Sequence, residues 1–556
     1  MTNRTRRCGV PMLAATALIL AACGNGGDDE GPGADGADLP PLTVHASSAT
    51  TWQANFNPFS ANALSGTEGF LFEPLHLSTP MQPGEPIPWL AEEMEFTGDG
   101  SEVTFTLRQD VTWNDGEPLT ADDVAFTFEL LIDNPGMNTA AIPLAGTEVI
   151  DDHTVQVELT EPAFAHEGEI GNTTVLPEHV WSDVDDPVEF TNAEDPVGTG
   201  PFTLGDFSEQ LYALEKNEDY WAADEITVEQ IEYPTSTDQT LTTSLQAGEY
   251  DWAGGFISNI DEIFVDHDPE HRGYWYAGGG TVSLTVNNER DVFTDHALRE
   301  AMSTGIDRQH VADVAMQGYV PPSHPSALPQ PTYDEVIAAE YTDAAFTPDT
   351  DEANRILDEA GYELGEDGVR TSPDGERLSW ELLINSSYTD WVDIAQILEE
   401  QLAEIGVELV PQGLAREAYM DARNHGNFDV TITSVAAGLT PYDLYRDLLS
   451  SEYAAEGDDD AVQGNFGRFY DEEADDALAQ YRTSGDDAQQ QEALETLQRI
   501  TIEEHPVIPL IQAGNWFNYN TERWSGFPGE DNPYALGAPF QTPDNALIIR
   551  ELTPTS

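Results

Sequence analysis

The chain has 556 residues, 39% of them hydrophobic, and sets 20 basic against 104 acidic side chains for a formal charge of −84. A surface this negative repels phosphate backbones and anionic lipid headgroups, which excludes nucleic acid as a partner. The apolar fraction suffices for a core, so acid excess with one lysine, Lys216, reads as adaptation to salt and not as disorder. The length calls for at least two lobes.

Arg4, Arg6 and Arg7 precede an apolar stretch, Val10 to Leu20, that is too short to span a bilayer, and residues 1–22 read as a secretion signal. The run Leu20-Ala21-Ala22-Cys23-Gly24 resembles the bacterial lipobox, which implies cleavage before Cys23 and its acylation. Lipid chains then hold the protein to the outer face of the cytoplasmic membrane, in the periplasm if the cell has an outer membrane, without a spanning helix. With Cys8 in the signal, no cysteine remains for a disulfide. Residues 23–41 are acidic and glycine-rich, the composition of a flexible tether.

From Leu42 onward strand and helix signals alternate, which argues for α/β lobes. Val103, Phe105 and Leu107 alternate as one face of a strand, and Asn114-Asp115-Gly116 supplies a turn. A helix follows, capped by Thr120, with Asp122 and Asp123 in its first turn and Val124, Phe128 and Leu131 on one face. Asp307 starts another, with Val311, Val314 and Ala315 inward and Gly318 as terminator. Trp391, Ile394, Leu398, Leu402 and Ile405 mark a helix that stops at Gly406 and leads into a strand at Val407 to Val410. Leu494, Leu497 and Ile500 mark a last one, ended by Pro506.

The sequence has no Gly-x-Ser-x-Gly elbow, no His-Glu-x-x-His, no Cys-x-x-Cys and no phosphate loop. Its twelve histidines form no ligand cluster, so no metal or cofactor is expected. Aromatic and amide residues recur in loop-like settings, and such pairs suit uncharged oligomeric ligands: rings stack on sugars or apolar side chains while amides orient them. A single aromatic is more often core than site. The candidates on this basis are Trp52, Asn55, Phe256, Trp275, Asn385, Ser434, Tyr442 and Trp516.

The segment Trp89 to Glu129, with Trp-Asn-Asp-Gly-Glu-Pro-Leu-Thr-Ala-Asp-Asp-Val at 113–124, resembles the signature of the family 5 extracellular solute-binding proteins of ABC importers. The likeness continues through Pro196–Phe202, Asn217–Trp221, Gly248–Trp252, Phe293–Ala301, Ile306–Arg308 and His505–Leu510. It implies an α/β, periplasmic-binding-protein-like fold of class II type, with two lobes, two crossover strands and a subdomain inserted in the first lobe. By that analogy lobe I is 42–285 plus 511–552, with about 75–195 inserted, and lobe II is 286–510. The crossovers then fall near Val286-Asn287 and Ile508 to Ile511, and the 89–129 signature serves the fold.

The resemblance further implies a monomer without enzymatic activity that closes on an oligomeric solute and docks on a permease, whose ATPase subunits are separate. Peptide receptors of this family pair the peptide's α-ammonium with an aspartate after a Gly-Trp stretch. Here the corresponding Thr433–Tyr442 run lacks both tryptophan and aspartate, and Asp443 could substitute only if the loop is shifted. Pro88-Trp89-Leu90, Asp251–Gly254 and Tyr274-Trp275 are similar to the cellobiose-binding branch, which favours a short oligosaccharide slightly over an oligopeptide. The alternatives are a surface-anchored glycan or peptide hydrolase and a binding module for a sensor.

Overall fold

The strand and helix at 102–133 form as their patterns dictate. Glu102–Leu107 buries alternate residues, and Ala121–Asp133 starts at a capping box in which Thr120 and Asp123 satisfy each other's backbone amides. The computed structural model describes residues 39–82, 84, 86–97, 99–454, 461–462 and 464–555. The signal, Cys23 and the tether up to residue 38 lie outside them. No described helix is long and apolar enough to cross a membrane.

Three larger sheets organise the described residues. The first has seven strands, in the order Arg272–Tyr274, Phe517–Asn520, Trp252–Gly254, Leu42–His45, Gln230–Pro234, Leu211–Lys216 and Phe202–Phe207. Asp251, fully buried, pins its centre. It accepts from the Thr43 amide at 2.9 Å and takes both arms of the Arg523 guanidinium at 2.8 and 2.6 Å. The second sheet has five strands, in the order Glu408–Leu414, Ser379–Asn385, Val430–Ala436, Ala277–Val286 and Ile508–Asn515. The third is antiparallel, with Ala91–Thr97, Glu102–Leu107, Thr154–Leu159 and Leu144–Asp151.

The other helices follow their sequence signals, except that Val314, expected inward, is exposed and its helix ends at Ala315, before Gly318. Arg308–Ala315 is capped by Asp307, and Thr389–Ala403 runs to Gly406, whose positive φ ends the turn before the parallel strand Glu408–Leu414. Asp487–Glu504 ends at His505 in the left-handed region, immediately before Pro506. Arg308 shows what the Ile306-Asp307-Arg308 motif does. Fully wrapped, it donates to the carbonyls of Ser303, Ile306 and Pro509 and lies 3.4 Å from the centre of the Phe346 ring.

The passage between the first two sheets differs from expectation. The chain leaves the seven-stranded sheet at Tyr274, joins the five-stranded one at Ala277, and returns through Trp516 between Asn515 and Phe517. Residues 277–285 and 511–515, expected with the first lobe, therefore pair within the second sheet. The misplacement has a physical reason: Ala277–Val286 is one unbroken strand, so no turn signal marks the change of sheet.

Glu73 anchors the third sheet to the first. Buried, it accepts from Trp89 Nε1 and the Tyr220 hydroxyl, both at 2.7 Å, and from Trp221 Nε1 at 3.3 Å. Trp89 thus serves packing, as expected of the 89–129 signature. Burial outweighs these donors and pushes the Glu73 carboxyl up to about 7. A carboxyl raised on folding contributes stability that is full below its unfolded value and lost as pH rises through about 7. Glu73→Gln is therefore expected to flatten the fall in stability between pH 5 and 8 by on the order of 3 kcal/mol. Urea titrations of both proteins at each pH check this; parallel pH profiles would contradict it.

Candidate functional site

Strand direction places the cleft. Leu42–His45 and Trp252–Gly254 run parallel, antiparallel to Phe517–Asn520, so their carboxyl ends point toward the crossover. In the second sheet Val430–Ala436 runs antiparallel to Ala277–Val286 and parallel to Ser379–Asn385, so those carboxyl ends also point there. Ligands of open α/β sheets bind outside the carboxyl ends of strands, and here two such edges meet across the crossover.

Several expected residues gather at this junction. Phe256, just past the first sheet's Gly254, packs on Trp516 with ring centres 5.1 Å apart, and Trp516 meets the edge of Tyr276 at 4.9 Å. Tyr319 closes the group against Phe256, Tyr274 and Tyr276, and the Tyr276 hydroxyl donates to Asn518. Trp275 lies half-buried in the crossover itself, its amide donating to the Phe517 carbonyl at 2.9 Å. Asn385 ends its strand buried, accepting from the Ser387 amide, whereas Ser434 is exposed.

Three candidates stand elsewhere. Trp52 is 7% exposed, donates its indole N–H to the Tyr233 carbonyl and packs edge-on against Tyr212, so it belongs to the core of the first sheet. Asn55 holds its own loop, donating to Ser60 Oγ and accepting from the Asn57 amide. Tyr442 is buried between His166 and Tyr481, stacking on the latter at 5.6 Å, and does not reach the open cleft.

A pocket of about 660 Å³ lies between the inserted subdomain and the five-stranded lobe, and none of Phe256, Trp275 or Trp516 lines it. Thr79, Gln82 and Phe164 line one side; Tyr333, Leu439, Tyr481 and Gln490 line the other. Among the described residues its charged liners are Glu167 and Glu335, and none of its liners is basic. The Tyr333 hydroxyl donates to the Gly438 carbonyl at 3.1 Å, fixing the loop that carries Leu439 to Pro441. None of the eight residues expected from sequence lines this pocket, whose walls come from distant segments of the chain. The proline-rich run Pro329-Gln330-Pro331 before Tyr333 was the one local hint of an ordered loop.

The 433–442 run, where the peptide-reading aspartate was sought, is also resolved into contacts. Asp443 Oδ2 accepts from the Leu439 and Thr440 amides, both at 2.9 Å, as the reciprocal partner in a capping box for the helix Pro441–Leu449. Its other oxygen faces Arg446 at 3.4 Å. The loop is not shifted in a way that frees this carboxylate for a ligand.

The chain belongs to the bacterial extracellular solute-binding proteins, family 5, whose middle-region model matches residues 85–456. It is thus a substrate-binding protein of the kind that serves ABC importers, with a periplasmic-binding-protein-like fold. The chain is 28% identical to Protein XP55 of Streptomyces lividans over 77% of its length and 76% of the relative's. It is 25% identical to the oligopeptide-binding protein AppA of Bacillus subtilis, over 77% and 78% of the two chains. A solved periplasmic oligopeptide-binding protein from Thermotoga maritima superposes with a TM-score of 0.85 at 26% identity, covering 92% of this chain and 99% of that one. The same protein with mannohexaose bound superposes at 0.79, covering 92% and 98%.

Proposed function

We propose that this protein captures a short neutral oligosaccharide in the cleft between its lobes and delivers it, chemically unaltered, to an ABC permease. The chain is tethered outside the cell through lipid on Cys23, adapted to high salt and working as a monomer. Lobe one comprises the seven-stranded sheet with the inserted subdomain, and lobe two the five-stranded sheet. Ligand contacts to both favour the closed form by differential affinity.

One observation carries the reading. The 660 Å³ pocket offers rings, amides and hydroxyls and, among the described residues, no basic side chain, while the nearby Asp443 carboxylate is already held by two amides and Arg446. A ligand without charge uses the first set and does not need the second. The mannohexaose found in the Thermotoga maritima relative supports a sugar in this family member's cleft as well. Oligopeptide capture is the second reading, because Glu167 and Glu335 could face an α-ammonium.

Thermal-shift and calorimetric titration in molar salt separates them. Manno-, cello- and xylo-oligosaccharides are expected to raise the melting temperature and di- to pentapeptides to leave it unchanged. Binding of peptides alone would overturn the sugar assignment, and release of shortened sugar by the pure protein would point to a hydrolase.

A further inference from the structure

Beside the cleft lies a second cavity, of about 210 Å³, between the inserted subdomain and the helices Pro441–Leu449 and Glu472–Thr483. Its polar liners are His166, Arg446, Ser450, Glu452, Tyr453, Asp475 and Arg482, and four buried atoms among them make no hydrogen bond: Arg482 Nε, the Tyr453 hydroxyl, His166 Nδ1 and Arg446 Nη1, the last held only by ion pairs to Asp443 and Glu169 behind it. His166 is 3% exposed. Each such atom left unsatisfied costs about 1–3 kcal/mol, so a concentration of them points to a polar occupant.

The donor set defines that occupant. Guanidinium groups only donate, carboxylates accept, and a tyrosine hydroxyl or neutral imidazole does either. Burial and Arg446 hold His166 down to about 4, so it is neutral at pH 7. An anion here would meet Glu452 and Asp475, and a cation would meet Arg446 and Arg482. A hydroxyl, which both donates and accepts, conflicts with neither. Tyr442, stacked on Tyr481, adds a flat ring to the wall. The volume corresponds to about seven waters, room for a single sugar ring.

The two spaces share no lining residue but are walled by sequence neighbours: Ala165, Pro441 and Tyr481 face the 660 Å³ pocket, and His166, Tyr442 and Arg482 face the smaller one. We infer that the smaller cavity is an end subsite taking one hydroxyl-rich ring of a solute whose remainder occupies the larger pocket. This rests on the oligosaccharide reading and assigns its terminal unit.

Tyr453→Phe tests it, because the hydroxyl it removes has no partner in the free protein and its loss breaks no bond of the fold. Tetra-, penta- and hexaoses of the manno, cello and xylo series are titrated calorimetrically against both proteins in molar salt. The variant is expected to bind the preferred hexaose about tenfold more weakly than wild type and to keep wild-type affinity for the tetraose. Equal hexaose affinity in both proteins, with a raised melting temperature in the variant, overturns the subsite, leaves the cleft reading intact and identifies the occupant as water. If wild type binds no oligosaccharide, the cleft reading fails and the subsite with it. A loss in the variant confined to free amino acids would show a zwitterion site and overturn the sugar assignment.

Discussion

Gly280→Ala is expected to destabilise the five-stranded lobe by roughly 2 kcal/mol or more. Gly280 sits in the strand that carries the chain between sheets, opposite Ala436 on one side and Ala513 on the other. A methyl group there would lie 2.1 Å from the Val435 carbonyl oxygen and 2.9 Å from the Ala436 Cα, both backbone atoms that no rotamer change can move. The strand Val430–Ala436 must therefore part from its neighbour. That strand leads directly into Leu439 to Pro441, so the pocket wall moves with it and ligand affinity falls too. Gly279→Ala is the control, since its added carbon would meet nothing nearer than 3.6 Å. Urea denaturation of the two variants in molar salt checks the contrast, and equal midpoints would refute it.

Dilution of salt is expected to have the other large effect. With 104 acidic and 20 basic residues, the folded chain concentrates like charge that the unfolded chain can spread. The screening length is roughly 3 Å at 1 M salt and 30 Å at 0.01 M, so repulsion confined to nearest neighbours in brine reaches across the whole molecule in dilute buffer. The surface ion pairs that could offset it are few and exposed, as at Arg355 with Glu352 and Glu359. Near-UV circular dichroism is expected to collapse, and the melting temperature to drop, as potassium chloride is dialysed away. A melting temperature unchanged over that range would remove salt adaptation as the explanation of the composition.

Much of the fold was legible because its signals are local. Thr120 with Asp123, Asp307 and the Gly406 stop each fix a helix end through atoms within a few residues, and the alternation at Val103, Phe105 and Leu107 fixes a buried face. The site was less legible because its atoms are brought together only by the sheets. Phe256 and Trp516, expected from loop position and ring chemistry, pack on each other beside the crossover but line neither cavity. Trp52 carried the same ring-and-amide signal, yet a carbonyl across the sheet at Tyr233 had already claimed its indole. Nothing local distinguishes Tyr481 or Gln490 from any other helical side chain, and what makes them pocket residues is the approach of Phe164 and Glu167 from a distant subdomain.

The paired crossovers set the freedom left to the two lobes. Where the chain changes sheet, the two passes lie side by side, bonded from the Trp275 amide to Phe517 and facing each other at Ala277 and Asn515. Zipped together, they bend as a single leaf instead of two separate cords, which leaves one axis of swing and suppresses sliding or twisting. On such an axis displacement grows with lever arm, and the Arg482–Glu161 pair, which ties the helix Glu472–Thr483 to the inserted subdomain at 3.0 Å, is a contact that a swing of the lobes must break.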